Sequence, residues 1–245
     1  MDSVWTQPHP PWIVGHRGAP RRARENTLDS FDFAESLGAD AVEFDLRQTR
    51  DFDLVVFHDE QIPIGTELHP VRGMVSHDVR ELLLDSSFGE YRIPTFEQVL
   101  QRYGTSLRYV VEVKTSSSTD RSRAASRIAD LLGAFDCRSR ALVASFDPEI
   151  LRRVRQRDTA IALSFLIDRP ISSIAPSEGE LPPCEAFGPR ADSVDAAFME
   201  RAKASGRSVH PWTADSPEEI ERLAALGVAS ITTNDCELAA RILRG

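Results

Sequence analysis

The chain has little lysine, little cysteine and no long apolar run. Of its 245 residues, 29 are basic, and only Lys114 and Lys203 among them are lysine, so nearly all of its positive charge is arginine. Its net charge of −9 argues against a nucleic-acid binder, because affinity for nucleic acid rests on a basic surface that meets the phosphates. An anionic ligand would therefore need a locally cationic pocket in an acidic protein.

The scarcity of cysteine and of apolar runs sets further bounds. Cys137, Cys184 and Cys236 lie far apart and show neither metal nor redox spacing, which is typical of buried or incidental thiols in a reducing compartment. No apolar stretch approaches the ~20 residues that span a bilayer. Residues 1–11 lack the basic start and apolar core of a signal peptide. We therefore expect a cytoplasmic protein without stable membrane insertion.

Short apolar, β-branched runs alternate with helical patterns along almost the whole chain. The predicted strands are 12–16, 41–46, 54–58, 108–114, 141–146, 160–167, 186–190, 208–213 and 228–232. The predicted helices are 27–37, 95–103, 120–134, 147–157, 195–205, 216–226 and 235–243. Several helix starts carry capping signals, such as Asp147-Pro148 and Ser216-Pro217. In a chain of this length, such alternation predicts an α/β protein with a parallel sheet, most often a (β/α)8 barrel.

Nine strands are predicted, one more than a (β/α)8 barrel contains. The spacing between two of them explains the additional strand. Only eight residues separate Asp45 from Leu54, whereas a parallel crossover needs a dozen or more. The third predicted strand should therefore pair antiparallel with the second, as a hairpin arm. We interpret 12–245 as one barrel domain with an insertion at about 47–93, after the second strand, that caps the barrel mouth. The polar stretch 176–180 predicts a surface loop.

Histidines, carboxylates and cations end four of the predicted strands: His16 and Arg17 the first, Glu43 and Asp45 the second, His58 the hairpin arm, and Glu112 and Lys114 the next barrel strand. In a (β/α)8 barrel the C-terminal strand ends meet at the mouth, where active sites lie. Residues two apart on a strand project to the same face, so Glu43 and Asp45 point together, as do Glu112 and Lys114. Three carboxylates suit a hard divalent cation, Mg2+ or Ca2+, better than zinc. The combination indicates metal-assisted chemistry on a phosphate.

These residues and further motifs carry a family resemblance. The motifs are His16-Arg17-Gly18, Glu25-Asn26-Thr27, Glu43-x-Asp45, His58-Asp59, Glu112-x-Lys114, Ser145-Phe146-Asp147-Pro148 and Trp212-Thr213. In this combination, from about residue 12 to residue 238, the chain resembles the glycerophosphodiester phosphodiesterases. The resemblance implies a (β/α)8 barrel with a small capping insertion. It also implies metal-dependent hydrolysis of a small-molecule glycerophosphodiester to an alcohol and glycerol 3-phosphate.

The resemblance further implies roles for matching positions: metal ligands Glu43, Asp45 and Glu112, phosphate contacts Arg17 and Lys114, and a general acid–base pair, His16 and His58. Histidine suits proton transfer because its pKa lies near working pH. The sequence does not order the two histidines; we expect His16 to be the base and His58 the acid. Trp212 could stack on the carbon skeleton of the substrate, and a place in the barrel core is nearly as consistent with its position.

The chain departs from the family pattern in several places, including the two that follow, and alternative functions stay open. Asp51-Phe52 stands where Asp-Gly is common, and Thr233-Asn234-Asp235-Cys236 stands where the last strand usually ends in Thr-Asp-x-Pro. No metal ligand or histidine is lost. The first alternative is a lysophospholipase D-like phosphodiesterase on the same barrel, which would need an apolar channel with exposed Leu, Ile or Phe around the cap. The second is a non-catalytic barrel that binds phosphate esters.

Overall fold

The computed structural model describes residues 3–6, 11–168 and 181–245. The strands in these ranges are β1 (Trp12–Gly15), β2 (Ala41–Gln48), β3 (Leu54–Val56), β4 (Gln61–Ile64), β5 (Glu67–Pro70), β6 (Leu84–Ser86), β7 (Gly89–Tyr91), β8 (Arg108–Val113), β9 (Ala141–Ser145), β10 (Ala162–Ile167), β11 (Ala186–Pro189), β12 (Ser208–Val209) and β13 (Ser230–Thr233). The helices are α1 (Leu28–Ser36), α2 (Ser76–Glu81), α3 (Phe96–Tyr103), α4 (Arg121–Ala134), α5 (Pro148–Arg157), α6 (Ala196–Ala204), α7 (Pro217–Ala225) and α8 (Cys236–Arg244). None of these helices is long and apolar enough to cross a membrane. The predicted surface loop at 176–180 lies outside the described residues.

Parallel strands form a ring in the order β12–β11–β10–β9–β8–β2–β1–β13. The strand predicted at 208–213 ends early, at Val209, because Pro211 has no N–H for a sheet ladder. Backbone hydrogen bonds nevertheless join the two end strands, from Ala229 N–H to the carbonyl of Val209 (2.8 Å) and from Ala214 N–H to that of Thr232 (2.9 Å). Together with the helices around the ring, these contacts confirm the predicted (β/α)8 barrel.

The hairpin arm forms as predicted, although it is shorter. β3 runs antiparallel to the last residues of β2, where Gln48 faces Leu54. After β3 ends at Val56, the N–H of Phe57 donates to the carbonyl of Asp45 (2.9 Å). That bond brings the chain back over the end of β2, so the next residue enters the barrel mouth.

The rest of the insertion is more regular than its sequence indicated. Two small antiparallel hairpins, β4–β5 and β6–β7, flank α2. α2 ends at Glu81, and the chain then turns into β6. Val55, Ile62 and Val79 are fully buried in a separate small core beneath these hairpins. The sequence did not predict β4 to β7, because these short strands show no clear alternating pattern.

Predicted capping signals are confirmed at the helix starts. Thr95 forms a capping box with Gln98 at the start of α3. Asp147 accepts a hydrogen bond from a first-turn N–H of α5, and Ser216 does the same for α7. These bonds satisfy N–H groups that have no partner inside the helix.

The main apolar core lies between the barrel strands and the helices. Within it, the rings of Phe31 and Phe44 lie 5.6 Å apart between centroids, and those of Phe44 and Phe96 lie 5.8 Å apart. All three cysteines belong to this core as buried free thiols, as the sequence predicted. A second, smaller core fills the barrel interior.

A tryptophan near the start of the chain closes the bottom of the barrel. Trp5 is 1% exposed, and its indole N–H donates to the carbonyl of Arg140 (2.8 Å), directly before β9 begins. Its ring meets the edge of Trp12, with centroids 4.9 Å apart, and lies 5.6 Å from the ring of His210. The predicted barrel domain began at residue 12, so this plug was not anticipated.

Candidate active site

Three carboxylates meet at the C-terminal mouth of the barrel. Glu43 and Asp45 lie two apart on β2, and Asp45 is in register with Glu112 on β8. One oxygen from each carboxylate lies within 4.8 Å of the other two. Glu43 and Asp45 are buried, at 6% and 1% exposed. Strand alternation and the pairing of neighbouring parallel strands are sufficient to bring these groups together.

Two cations lie against this carboxylate cluster. Lys114 Nζ lies 2.5 Å from Glu112 Oε1 and 3.2 Å from Asp45 Oδ1, and Arg17 Nε lies 3.2 Å from Asp45 Oδ2. Burial disfavours the charged form of Asp45, but Lys114 and Arg17 outweigh it and hold the pKa of Asp45 below its usual value. Glu43 accepts a bond from the backbone N–H of Arg17 (2.9 Å). Burial, and then the charges of Asp45 and Glu112, nevertheless raise the pKa of Glu43 well above its usual value.

The donor set fits a hard divalent cation. Three carboxylates face two cations, and Arg17 is shared with a further acid, since its Nη1 lies 3.0 Å from Glu25 Oε1. Fully ionised, the cluster therefore carries surplus negative charge. Burial is the largest cause of the raised pKa of Glu112, as it is for Glu43. Buried carboxylate oxygens with surplus charge are the ligands that Mg2+ and Ca2+ prefer.

A tight turn after β1 directs the side chains of His16 and Arg17. Arg17 has a left-handed φ of 54°, and Gly18 follows with 89°. A Cβ on Gly18 would lie 2.7 Å from the backbone of Ser30, so glycine is required there. The Arg17 carbonyl accepts bonds from the Asn26 N–H (3.0 Å) and the Ser30 hydroxyl (3.0 Å). Such strained backbone persists where its surroundings hold it, often at functional sites.

Asn26 clamps Asp45 within the cluster. Its Nδ2 donates to Asp45 Oδ2 (2.8 Å), and its Oδ1 accepts from the backbone N–H of Asp45 (3.3 Å). Asn26 has a left-handed φ of 59°, a conformation that asparagine tolerates better than most residues. The sequence alone predicts no role for Asn26. The available signal was the Glu25-Asn26-Thr27 motif, in which Thr27 caps α1.

Hydrogen bonds at the end of β13 orient the ring of His16. His16 Nδ1 lies 2.8 Å from Asn234 Oδ1, and Asn234 Nδ2 donates to Asp215 (2.6 Å). Because the carboxylate of Asp215 can only accept, the amide is fixed with its oxygen toward His16, so Nδ1 carries the proton and Nε2 keeps its lone pair. Burial, and then the charge of Arg17, lower the pKa of His16. The neutral ring is therefore favoured.

His58 reaches the same place from the hairpin arm. Its backbone carbonyl accepts two bonds from the guanidinium of Arg47, at 2.9 Å and 2.8 Å. Its Nδ1 lies 2.7 Å from Asp59 Oδ1, which orients the ring. The side chain of His58 is 35% exposed, so part of the ring faces solvent.

A single cavity of about 250 Å³ connects these groups with the barrel interior. The predicted site residues along its wall are His16, Arg17, Glu43, His58, Glu112, Lys114 and Trp212. Asp45 is the eighth predicted site residue. It is 1% exposed and contacts Arg17 and Lys114. Deeper in the barrel the wall becomes apolar, with Leu142 and Leu166.

Aromatic residues form one side of the rim. The rings of Trp212 and Phe146 meet edge-on, with centroids 5.6 Å apart, and the Trp212 indole donates to the carbonyl of Gly188 (2.8 Å). The sequence left open whether Trp212 contacts the substrate or packs in the barrel core. Its side chain is half-buried in the cavity wall, between these two positions. His210 lies on the cavity wall between the hydroxyls of Ser208 and Ser230, 2.9 Å from each.

The chain is similar to proteins of one known family. The model of the glycerophosphoryl diester phosphodiesterase family matches residues 16–238. The glycerophosphodiester phosphodiesterase of Bacillus subtilis (strain 168) is 26% identical over 95% of this chain and 86% of its own length. That of Caldanaerobacter subterraneus subsp. tengcongensis is 28% identical over 95% of this chain and 97% of its own.

Solved structures share the fold. A glycerophosphodiester phosphodiesterase from Agrobacterium tumefaciens aligns with a TM-score of 0.79 at 22% identity, over 94% of this chain and 99% of its own. An Oleispira antarctica phosphodiesterase in complex with the product sn-glycerol-3-phosphate aligns with a TM-score of 0.82 at 20% identity, over 96% and 98%. The family match confirms the resemblance seen in the motifs, and the chain belongs to the glycerophosphoryl diester phosphodiesterase family.

Proposed function

We propose that this chain is a metal-dependent phosphodiesterase that hydrolyses glycerophosphodiesters to an alcohol and glycerol 3-phosphate. The observation that carries the proposal is the carboxylate cluster, which shares one cavity with two cations and two histidines. The activity named for the Bacillus and Caldanaerobacter relatives supports it. The product held by the Oleispira phosphodiesterase supports a phosphate ester of glycerol as the ligand.

The two cations at the rim, Arg17 and Lys114, bind the phosphate. Arg17 offers a planar guanidinium that can contact two phosphate oxygens, and Lys114 offers a compact ammonium. Glu43, Asp45 and Glu112 would hold the divalent cation, which when bound neutralises charge that develops on the phosphate oxygens. The ion pairs of Lys114 with two of these carboxylates keep its ammonium at the cluster, where the phosphate would lie.

Proton transfer falls to the two histidines. His16 Nε2, which keeps its lone pair, accepts the proton of the attacking hydroxyl, and the lowered pKa of His16 supports this role as base. His58 donates a proton to the oxygen of the leaving alcohol. The partly exposed position of His58 on the hairpin arm suits a group that recovers its proton from solvent.

Carbon atoms of the substrate would meet the apolar part of the cavity. The faces of Trp212 and Phe146 at the rim are available for such contacts. Apolar contact at the rim also excludes water from the charged groups, which strengthens their electrostatic interactions with the phosphate.

A second candidate, a lysophospholipase D-like activity, is favoured by one observation. Leu68, Leu83 and Phe88 are 62%, 52% and 52% exposed on the cap, and an acyl chain could lie against them. The barrel interior does not extend this path, because Trp5 and His210 close its floor. Small glycerophosphodiesters therefore remain the first candidate.

Phosphorus NMR of a substrate panel tests the proposal. Glycerophosphocholine, glycerophosphoethanolamine and lysophosphatidylcholine are each incubated with Mg2+, with Ca2+ and with a chelator. We expect glycerol 3-phosphate from the first two substrates, with metal only. Turnover restricted to lysophosphatidylcholine, and lowered by a Leu68→Ser, Phe88→Ser double variant, would establish the second candidate instead. Binding of these esters without any turnover would support a non-catalytic barrel.

A further inference from the structure

The inner part of the cavity differs from its rim in chemistry. Below the charged groups, β8, β9 and β10 present Val110, Leu142, Ala144 and Leu166. These side chains are apolar, and a charged group placed among them would lose its hydration without gaining a partner. A ligand portion that enters this space should therefore be small and uncharged.

Ser164 interrupts the apolar wall. It is 1% exposed and lines the cavity, and its hydroxyl has no hydrogen-bond partner among the residues that the structure describes. A buried hydroxyl without a partner costs free energy, so such a group calls for an explanation. Ser145, on the neighbouring strand, is equally buried, but its hydroxyl donates to the carbonyl of Val113 (2.8 Å) and accepts from the N–H of Asp147 (3.1 Å). Ser145 has a structural role that Ser164 lacks.

A glycine packs closely against Leu166 and Ser164 in this wall. Gly188 lies on the adjacent strand β11, and a Cβ there would be 3.2 Å from Ser164 Oγ and 2.5 Å from Leu166 Cδ2. Its backbone is not in the left-handed region, so conformational need does not explain the glycine. Glycine inside a strand often marks a place where another group approaches closely. Here the side chain of Leu166 makes that approach, and the Ser164 hydroxyl lies next to it.

Strand register places this hydroxyl within reach of the phosphate site. Glu112 is in register with Ala144, and Ala144 with Ser164. Ser164 is thus two strands from a carboxylate of the cluster, about 10 Å between backbones. Ala144, which has a small side chain, lies between Glu112 and Ser164 on the intervening strand β9. A phosphate at the rim with a three-carbon alcohol attached can span this gap.

We propose that Ser164 binds a hydroxyl of the uncharged, short polyol portion of the substrate, and so determines specificity for glycerol. The inference rests on the proposed function. The phosphate lies at the rim, the glycerol carbons lie against the apolar wall, and the terminal hydroxyl meets Ser164 Oγ. A cationic head group is disfavoured in this wall and therefore faces the mouth.

A pair of substrates tests the inference. One is glycerophosphocholine, and the other is the analogue in which propane-1,2-diol replaces glycerol, so that only the terminal hydroxyl is missing. We expect the wild type to prefer the glycerol substrate in kcat/KM by about 3- to 10-fold, the contribution of one neutral hydrogen bond. Ser164→Ala should bring the ratio close to one, and its Tm should be unchanged or higher. The matched control Ser145→Ala should keep the wild-type ratio at a lower Tm.

The outcomes separate this inference from the proposed function. If Ser164→Ala keeps the wild-type ratio of kcat/KM for the two diesters, or loses activity equally on both, the hydroxyl of Ser164 does not bind the terminal hydroxyl of the substrate. If the wild type turns over neither diester with Mg2+ or Ca2+, the proposed function itself fails, and the specificity assigned to Ser164 fails with it.

Discussion

Replacing Glu43 by glutamine should stabilise the metal-free protein and abolish its stabilisation by divalent cations. Glutamine keeps the shape of the side chain and an oxygen that can accept the N–H of Arg17, now 2.9 Å from Glu43. It removes one of three carboxylates that lie within 4.8 Å of one another beside two cations. Two carboxylates of the cluster then face the two cations.

The size of the effect follows from the spacing of the carboxylates. At the 4.8 Å limit of the cluster, two like unit charges repel by roughly 3.5 kcal/mol at an effective dielectric constant near 20. Arg17 and Lys114 offset most of this repulsion for Glu43. We therefore expect the variant to gain about 1–2 kcal/mol in the free energy of unfolding, or about 2–8 °C in Tm.

The gain should grow with pH. Because the folded-state pKa of Glu43 is raised, its contribution to stability is complete below the usual value of 4.5 and is lost as the pH rises through the folded value. The variant cannot ionise at this position and avoids that loss. The difference between the two proteins should thus be small in acid and larger at pH 8.

Thermal unfolding with and without metal measures both effects. A divalent cation at 100 times its Kd stabilises by about 2.7 kcal/mol, or about 5–11 °C here, and Glu43→Gln should lose this shift. Glu67→Gln, on the exposed β4–β5 hairpin, is the control that should match the wild type. A lower Tm for metal-free Glu43→Gln at pH 8, or a full metal shift in that variant, would refute the reasoning.

Four further predictions concern the histidines and their surroundings. His16→Ala and His58→Ala should each lower kcat about 10²- to 10⁴-fold, while His69→Ala on the cap should have no effect; equal loss in all three would contradict the assignment. Since the pKa of His16 is lowered, the acid limb of kcat/KM should lie below pH 6.5, and a limb above that value would argue against His16 as base. Asn234→Leu should reduce kcat about 10- to 100-fold at unchanged KM, because the ring of His16 loses its acceptor; a change in KM alone would oppose this. Trp5→Ala should cost about 3–5 kcal/mol, seen as a fall in Tm of about 6–20 °C, and a shift under 2 °C would show that the plug is dispensable.

Much of the site could be predicted because it depends on local rules. Strand alternation places Glu43 beside Asp45, and the order of parallel strands places Glu112 next to them. Lys114 was conspicuous as one of two lysines in an arginine-rich chain. The hairpin arm followed from a connection too short for a parallel crossover. Each of these inferences needs only neighbouring residues or neighbouring strands.

Contacts between distant residues could not be predicted in this way. Trp5 donates to the carbonyl of Arg140, far along the chain, and no local pattern links the two. His16 meets Asn234 only because β1 and β13 are neighbours in the closed ring, with the amide orientation then set by Asp215. Such partners become visible when the barrel is assembled.

Phe52 shows how a departure from the family pattern is accommodated. It has a left-handed φ of 66°, a conformation that glycine adopts most readily. The guanidinium of Arg123 lies 3.8 Å from the centre of its ring, and that of Arg72 lies 4.6 Å away. Cation–π attraction from two arginines offsets part of the cost of this backbone conformation.

The most direct test of the account is the rate of glycerol 3-phosphate release from glycerophosphocholine as the concentration of free Mg2+ or Ca2+ is varied. We predict that wild-type protein treated with a chelator is inactive and that its rate rises to saturation as metal is restored. Undiminished release in excess chelator would contradict the central claim that the Glu43, Asp45 and Glu112 cluster acts through a bound metal.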